Sequence, residues 1–382
     1  MMTSILIIFF IFLSSTSIHA QDFNAWKNNL QSQWTDSVRN VMQDDYANRS
    51  ITIDSLTMRL HWQVFGQKPE DGRSLYISLH GGGGAPPALN DSQWRNQWQL
   101  YTPDEGVYLC PRPPFNTWDL HFQPLCDRFY DQIIHMMVAF LDVNPDKVYI
   151  LGYSAGGDGV WRLAPRMADH WAAASMMAGH PGDVSLLNLR NLPFMVWCGE
   201  NDAAYNRNNE CRQRILQLDT LHHNDPNGYI HEGHIVPGKP HWMDRTDTIA
   251  IAWMAKFRRN TYPDRIVWIQ ADVLKPSFYY LSCPADEMSK GKLIDIHRKG
   301  NNFYIEHSDY SSITISLHPQ HINFHKHVNV FYQGRRIYHA KPEPSFSTMR
   351  QNFIIRQDPS FAFPANIHIE IPTTILNHPN LT

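Results

Sequence analysis

The strongest chemical signal in the chain is a serine between two glycines, in the stretch Gly152-Tyr153-Ser154-Ala155-Gly156. It directly follows the apolar run Val148–Leu151, and the residues after it have helical character. A serine at the tip of a sharp strand-to-helix turn can act as a nucleophile, because the glycines let strand and helix approach closely. The helix that begins there also directs its positive end toward a developing oxyanion. We therefore predict that Ser154 is a nucleophile.

A glycine-rich segment, His80-Gly81-Gly82-Gly83-Gly84, follows an earlier apolar run. Backbone N–H groups in such a turn can hold the oxyanion of a tetrahedral intermediate, together with the N–H of the residue after the nucleophile. We predict that the donors are Ala155 and one of Gly82 or Gly83. A phosphate cradle is the alternative, but the Lys-Ser/Thr ending of a P-loop is absent. We interpret His80 as a structural hydrogen-bonding residue rather than as a base.

A carboxylate follows a later apolar run, as an orienting acid should. The run Pro193–Cys198 leads into Gly199-Glu200-Asn201-Asp202. We prefer Asp202 to Glu200, because Asp202 stands where the chain turns away from the end of the strand. Asp158 lies one turn into the helix after the serine, and we interpret it as a residue that caps or braces a neighbouring loop.

The base must be chosen by position, because the chain contains 21 histidines. Tyr229–Val236 reads as the last strand of the sheet, and the loop after it contains His241. We prefer His241 to His234, since His234 lies within the strand and only the loop position can reach the serine. The resulting chain order, serine then aspartate then histidine, is that of α/β-hydrolases and differs from the orders in trypsin-like and subtilisin-like enzymes.

The elements that position these residues alternate between strands and helices. Strands are predicted at Ser74–Leu79, Val107–Cys110, Lys147–Leu151, Ala172–Met177, Pro193–Cys198 and Tyr229–Val236. Helices are predicted at Asp127–Leu141, Gly156–Ala168 and Asn208–Thr220. Such alternation implies a mostly parallel sheet flanked by helices, with function in the loops at the carboxyl ends of the strands. The sequence thus predicts an α/β-hydrolase fold.

The two ends of the chain have a different character from this middle part. Residues 1–20 read as a secretory signal peptide, with an uncleaved anchor as the alternative, and residues 21–48 as an amphipathic helix packed on the core. We place the catalytic domain at 49–260. Residues 261–382 contain closely spaced short strands, which predict a C-terminal β-sandwich-like domain. The protein is expected to be exported, to the periplasm or beyond the cell, with no stable membrane insertion after signal cleavage.

Composition excludes several other classes of function. Net charge is −3, with acidic and basic residues interspersed, so no nucleic-acid partner is indicated. No cofactor and no metal is predicted: we interpret His321, His325 and His327 as a solvated surface strand, since their spacing fits no common site. Five cysteines leave two disulfides to consider, Cys110–Cys126 and Cys198–Cys211. Oligomeric state stays open.

Several segments resemble those of secreted bacterial α/β-hydrolases of the esterase, polyhydroxybutyrate-depolymerase-like or prolyl-oligopeptidase-like group. The resemblance runs from about Ser74 to Lys256. It is carried by LHGGGGAP, VYILGYSAGGDGVWRLAP, MMAGHPGD, WCGENDAAYNR and HWMDR. The tail segment DPSFAFPANIHIEI resembles the β-domain of some members. The resemblance implies the fold and the Ser-Asp-His triad, but not the substrate. Gly238-Lys239-Pro240 departs from the glycine expected directly before the histidine.

A carboxylic ester, small or polymeric, is the first expectation for the substrate, cleaved through an acyl-enzyme intermediate. A prolyl-oligopeptidase-like serine peptidase is the second, although the chain has no room for the propeller that caps such enzymes. A non-catalytic protein whose β-domain binds a glycan or another protein is the third. His180, Trp118 and Tyr153 are candidates for substrate contact, with ordinary packing as the alternative for His180 and Trp118.

Overall fold

In a computed structural model, residues 20–372 of the chain are described. The predicted signal peptide, residues 1–20, lies outside this range except for its last residue. Seven helices precede the C-terminal strands: α1 Ala20–Val41, α2 Gln43–Asn48, α3 Pro87–Gln97, α4 Pro124–Leu141, α5 Ala155–Arg166, α6 Arg207–Asn224 and α7 Ile249–Met254. None of the helices within the described range combines the length and apolar character needed to cross a membrane.

One sheet of eight strands forms the centre of the first part of the chain. Its strands are β1 Ser50–Ile53, β2 Leu56–Phe65, β3 Arg73–Leu79, β4 Gly106–Arg112, β5 Val143–Tyr153, β6 Ala173–Met177, β7 Phe194–Gly199 and β8 His231–Val236. Their spatial order is β1-β2-β4-β3-β5-β6-β7-β8. β1 and β2 pair antiparallel, as do β2 and β4, and all other neighbours are parallel. This is the α/β-hydrolase fold that the sequence predicts.

Helices cover both faces of this sheet because side chains alternate along each strand. On β3, Leu75 and Ile77 belong to the core shared with α1, α4, α5 and α6, whereas Tyr76 belongs to the core shared with α3 and α7. The central strands β3, β5, β6 and β7 are therefore almost wholly buried, and they read as continuous apolar runs. Such runs are why these strands were predictable.

The C-terminal part contains two further sheets and one helix. Its elements are β9 Arg265–Ile269, β10 Ser277–Phe278, β11 Leu281–Ser282, β12 Leu293–Lys299, β13 Asn302–Ser308, β14 Ser312–Leu317, β15 Val328–Tyr332, β16 Arg335–Ala340, α8 Phe346–Arg356 and β17 Ala365–Glu370. One sheet has the order β10-β11-β14-β17 and the other β16-β15-β13-β12-β9. Ile313 and Ile315 of the first share a core with Ile294 and Ile296 of the second, as in a sandwich.

Helix α1 packs against both parts of the molecule. The ring of Trp34 lies between His135 of α4, at 5.4 Å, and Phe353 of α8, at 6.2 Å. The predicted amphipathic face is present but shifted, because Val41, at the end of α1, is exposed, whereas Phe23 is buried. The predicted helix 21–48 is also interrupted, since α2 begins at Gln43.

The two disulfides considered from the sequence are wrong, since all five cysteines are buried free thiols. Cys110 and Cys126 belong to cores on opposite faces of the large sheet, so they cannot meet. Cys198 and Cys211 lie on the same face and interact as thiols. The Cys198 thiol and burial together raise the pKa of Cys211 well above its usual value.

The histidines at 321, 325 and 327 do not form the predicted surface strand. They lie in the turns between β14 and β15, and all three are exposed. Within residues 20–372, no group of three or more His, Cys, Asp or Glu side chains is arranged to hold a metal ion.

Candidate active site

Ser154 stands alone between β5 and α5, in a backbone conformation that few residues adopt. Its φ is 59° and its ψ is −119°, a strained region that persists only when surrounding structure enforces it. Close backbone contacts at the neighbouring glycines impose this conformation on Ser154. A Cβ on Gly152 would lie 2.3 Å from the carbonyl oxygen of Gly156, and a Cβ on Gly156 would lie 2.1 Å from that of Leu79. The strand and helix thus cross too closely for any side chain, and the serine projects from the turn.

His241 lies between the serine and an aspartate. Its Nε2 is 2.9 Å from Ser154 Oγ, and its Nδ1 is 2.7 Å from Asp202 Oδ2. Because a carboxylate only accepts hydrogen bonds, Nδ1 carries a proton and donates a hydrogen bond to Asp202. Nε2 is then free to accept a hydrogen bond from the serine hydroxyl. This tautomer is the one needed to take a proton from a nucleophile.

Asp202 is almost completely buried, with 2% of its surface exposed. Its second carboxylate oxygen, Oδ1, faces Arg207 Nη1 at 3.6 Å, so the buried charge has two partners. Glu200, the alternative considered from the sequence, is exposed and accepts a hydrogen bond from the Gly238 amide at 2.8 Å. Glu200 therefore braces the loop that holds the histidine and does not contact the imidazole.

The loop that carries His241 is tied to the residue before the nucleophile. The Tyr153 hydroxyl donates to the His241 carbonyl oxygen at 2.7 Å and accepts from the Met243 amide at 3.1 Å. The alternative base, His234 in β8, stacks on the ring of Trp197 in β7 with 4.0 Å between the ring centres. Tyr153 is itself buried, and its hydroxyl is bonded to the histidine loop; its contact with substrate stays a prediction.

The glycine loop lies against the nucleophile, and its donors are not equivalent. A Cβ on Gly81 would lie 3.4 Å from Ser154 Cβ. The Gly83 amide already donates to Asn90 Oδ1 at 3.0 Å. Of the two loop amides predicted as oxyanion donors, Gly82 is therefore the better placed to serve beside Ala155, which begins α5. Asn90 is fully buried, and its Nδ2 also donates to Gly83 and Ala85 carbonyls.

His80 has the structural function that the sequence indicates. Its Nδ1 donates to the Gly81 carbonyl oxygen at 2.6 Å, and His121 Nε2 donates to the carbonyl oxygen of His80 at 2.8 Å. Burial lowers the pKa of His80 to about 4, so the ring is neutral near neutral pH. It shapes the start of the glycine loop and is not a second base.

The remaining predicted residues lie at the border of the site. His180 follows β6, and its backbone N–H donates to Asp158 Oδ1 at 2.6 Å. Asp158 thus braces a neighbouring loop, as predicted, and burial raises the pKa of this carboxyl. His180 Nδ1 accepts a hydrogen bond from the Gly182 amide at 3.0 Å, so one ring nitrogen is used within its own loop. Trp118 is exposed beside the glycine loop, where a Cβ on Gly83 would lie 3.5 Å from its Cα.

Sequence reasoning missed two residues that hold this site together, Asn90 and Arg207. Asn90 stands seven residues beyond Gly83, in a helix that the sequence did not predict. Arg207 follows the acid by five positions, and only the three-dimensional turn brings the two side chains together. No local pattern marks such residues, although a fully buried asparagine requires polar partners.

No known family model matches the chain, and neither does any curated protein. Solved structures do resemble it. A thermostable esterase has 20% identity over 55% of this chain, which spans 62% of that esterase's length, at a TM-score of 0.43. A fluorophosphonate-binding serine hydrolase F of Staphylococcus aureus has 12% identity over 54% of this chain and 96% of its own, at 0.40. Thermogutta terrifontis esterase 2 phosphorylated by paraoxon has 18% identity over 54% and 88%, at 0.38.

Proposed function

We propose that the protein is a serine hydrolase that cleaves a carboxylic ester through an acyl-enzyme intermediate. The observation that supports this is the pair of hydrogen bonds that link Ser154, His241 and Asp202, at 2.9 and 2.7 Å. Serine hydroxyls are weak nucleophiles unless a base within hydrogen-bond reach accepts their proton. Here the base is within reach, and its other nitrogen is oriented by a buried carboxylate.

The reaction follows from the positions of these atoms. Ser154 Oγ attacks the ester carbonyl while His241 Nε2 takes its proton, and Asp202 stabilises the imidazolium that forms. The Ala155 and Gly82 amides hold the oxyanion of the tetrahedral intermediate. His241 then gives its proton to the leaving alcohol. A water molecule, activated by the same histidine, releases the acid from the serine.

The setting of this reaction is also part of the proposal. The partner is a small or polymeric ester, with no nucleic acid involved. The protein acts after export, in the periplasm or outside the cell, where the apolar run Ile5–Leu13 would direct it.

A fluorophosphonate probe tests the proposal directly, because it forms a covalent bond only with an activated serine. We expect labelling of wild type, no labelling of Ser154→Ala, and hydrolysis of short-chain p-nitrophenyl esters by wild type alone. Ser175→Ala is a matched control, since this buried serine lies in β6 away from the site and should not alter labelling. Folded wild type that is not labelled would refute the proposal. Labelling with peptide cleavage but no ester cleavage would favour the peptidase alternative.

A further inference from the structure

Three aromatic side chains are exposed, and they lie on loops that carry or adjoin the candidate site. The exposed fractions are 61% for Trp118, 78% for Tyr205 and 45% for Trp242. Every other Trp, Tyr and Phe side chain between residues 23 and 372 is buried or half-buried. Trp118 lies beside the glycine loop, Tyr205 is three residues after the acid, and Trp242 directly follows the base. We refer to Trp118, Tyr205 and Trp242 as the aromatic rim.

The first ring of the rim is carried by a rigid loop. The main chain of Trp118 packs on the glycine loop, and Asn116 two residues earlier is held by two buried polar side chains. Asn116 Oδ1 accepts from Asn90 Nδ2 at 3.0 Å and from Arg112 Nη2 at 2.5 Å. The indole is therefore presented to solvent by a framework of hydrogen bonds rather than by a loose loop.

The other two rings are held in a comparable way. Tyr205 has a φ of 55°, a left-handed conformation that costs about 1 kcal/mol or more for a residue with a Cβ. The Arg207 guanidinium carbon lies 4.8 Å from the Tyr205 ring centre, and Arg207 is also the neighbour of Asp202. Trp242 packs at 5.6 Å from the ring of Tyr153. The exposed positions are thus stabilised, although burying an aromatic ring would release more free energy.

The surroundings of the rim indicate what kind of molecule it fits. Apart from the rings, the exposed residues of these loops are polar, small or proline. They are Thr117, Glu200, Asn201, Ala203, Ala204, Asn206, Pro237, Gly238, Pro240, Asp244 and Arg245. A pyranose ring has an apolar C–H face that stacks on an aromatic ring, and hydroxyls at its edge that bond to such polar groups. An aliphatic polyester has no hydroxyl donors and would be better matched by aliphatic side chains.

The site is also open to solvent at the histidine. The His241 side chain is 42% exposed. The connection from β6 to β7, at the carboxyl end of the sheet, contains only the short 3₁₀ turn Leu187–Asn191. Because the three rings lie on separate loops, we expect them to contact more than one unit of an extended substrate.

We propose that the aromatic rim binds the sugar rings of an acylated glycan and so presents a sugar-borne O-acyl ester to Ser154. This inference depends on the ester hydrolysis proposed above. Water cleaves the acyl–oxygen bond, which yields a carboxylate and restores the sugar hydroxyl. Trp118, Tyr205 and Trp242 contribute binding of the polymer and take no part in the proton transfers.

The test compares two substrates, partially O-acetylated xylan and p-nitrophenyl acetate. For Trp118→Ala, Tyr205→Ala and Trp242→Ala, we expect the ratio of acetate release from xylan to p-nitrophenyl release to fall about fivefold each. Ile355→Ala is the control, because it removes a similarly exposed apolar side chain from α8 in the C-terminal part. The ratio of acetate release to p-nitrophenyl release should stay at the wild-type value in this variant. Thermal unfolding of each variant checks that it is folded.

A binding measurement separates this inference from the proposed function. Ser154→Ala cannot turn over, but it should be retarded in affinity electrophoresis through acetylated xylan, and the triple rim variant on the same background should not. Wild type that is labelled by fluorophosphonate but releases no acetate from xylan would overturn the glycan inference alone. The same holds if it degrades poly(3-hydroxybutyrate) particles in preference to xylan. Absence of labelling would overturn both.

Discussion

The Tyr153 hydroxyl connects the nucleophile to the base through a single side chain. Tyr153 ends β5 directly before Ser154, and its hydroxyl is bonded to the main chain on either side of Trp242. The strand that positions Ser154 therefore also holds the loop that carries the imidazole of His241. Because a misplacement of about 1 Å in a reacting group can cost a hundredfold in rate, this link bears on turnover without touching the substrate.

We expect Tyr153→Phe to lower kcat about five- to tenfold with little change in KM, because the base loop loses both hydrogen bonds of the hydroxyl. Steady-state kinetics on a p-nitrophenyl ester gives the two constants. Tyr149→Phe is the control: it lies in the same strand, and its hydroxyl donates to the Phe257 carbonyl oxygen at 2.9 Å, far from the base. Equal loss of kcat in both variants would show that the effect is general destabilisation.

The two acids near the base should behave very differently when neutralised. In Asp202→Asn the side-chain amide favours the wrong imidazole tautomer, and kcat should fall on the order of 10³- to 10⁴-fold. In Glu200→Gln the side chain can still accept from the Gly238 amide, and kcat should stay within about twofold. Assays of both variants with one ester suffice. A larger loss in Glu200→Gln than in Asp202→Asn would reverse the assignment.

At the residue scale, the sequence indicates the candidate site residues but not the contacts that hold them in place. Ser154, Asp202 and His241 are predicted as a triad because each follows a strand in a fixed chain order, and the structure brings the three side chains together. The hydrogen bonds of Tyr153 could not be predicted, since its partners are 88 and 90 residues away. Side-chain hydrogen bonds across such separations leave no periodic pattern in the sequence.

At the element scale, the sharp junction between β5 and α5 is what makes the serine available. It depends on glycines at positions where strand, helix and β3 meet. The φ of Ser154 can be maintained only while these backbones remain in contact. The junction therefore links local strain to the packing of the central sheet.

We predict that Gly156→Ala destabilises the protein by at least about 2 kcal/mol, because the new Cβ would collide with the backbone of β3. Urea unfolding measures the change. Gly84→Ala is the matched control: its Cβ would meet nothing closer than 3.7 Å, and its φ is not positive. That variant should remain within about 0.5 kcal/mol of wild type. Equal stability of both variants would contradict the close-packing argument.

The elements that escaped prediction share a weak local signal. β1 and β2 form the antiparallel edge of the sheet, where β1 buries only Ile51 and β2 buries only Met58, Leu60 and Trp62. Helix α3 is polar along most of its length and buries only Asn90, Trp94 and Gln97. Helix α8 interrupts a region otherwise made of strands. Each is stabilised by tertiary packing more than by its own sequence pattern.

At the scale of the whole molecule, buried ion pairs join the part that contains the eight-stranded sheet to the C-terminal part. Arg259 pairs with Asp146 and Asp358, at 2.8 and 2.7 Å. Arg356 of α8 pairs with Asp169, which follows α5. The charges come from distant segments, so the network could not be predicted from the sequence. Removing one partner would leave an uncompensated buried charge, which is strongly destabilising.

His170 makes part of this network sensitive to pH. Burial alone would lower its pKa, but Asp169 and Asp131, 2.9 and 3.2 Å away, outweigh it and raise the pKa to about 9. The protonated ring therefore stabilises the fold in full below the unfolded pKa of about 6.5, and this contribution disappears as pH rises through about 9. Above that pH Asp131 loses the charged His170 ring beside it, whereas Asp169 keeps Arg356 as a cationic partner.

Wild type should accordingly lose on the order of 2 kcal/mol more than His170→Gln between about pH 6 and about pH 9.5. Urea unfolding of both proteins at the two pH values gives the difference, and the glutamine variant provides the correction for all other titrating groups. Parallel pH profiles for wild type and the variant would show that His170 is not the group responsible.

The position of α1 determines when during synthesis its packing can be completed. Trp34 is made early, but Phe353, which completes its packing, is made roughly 300 residues later, about 15 to 60 s at ordinary rates of synthesis. Until then α1 can rest on α4, yet one side of its apolar face remains uncovered. The packing of Trp34 in α1 is therefore completed only after Phe353 has left the ribosome, long after the contact with α4 becomes possible.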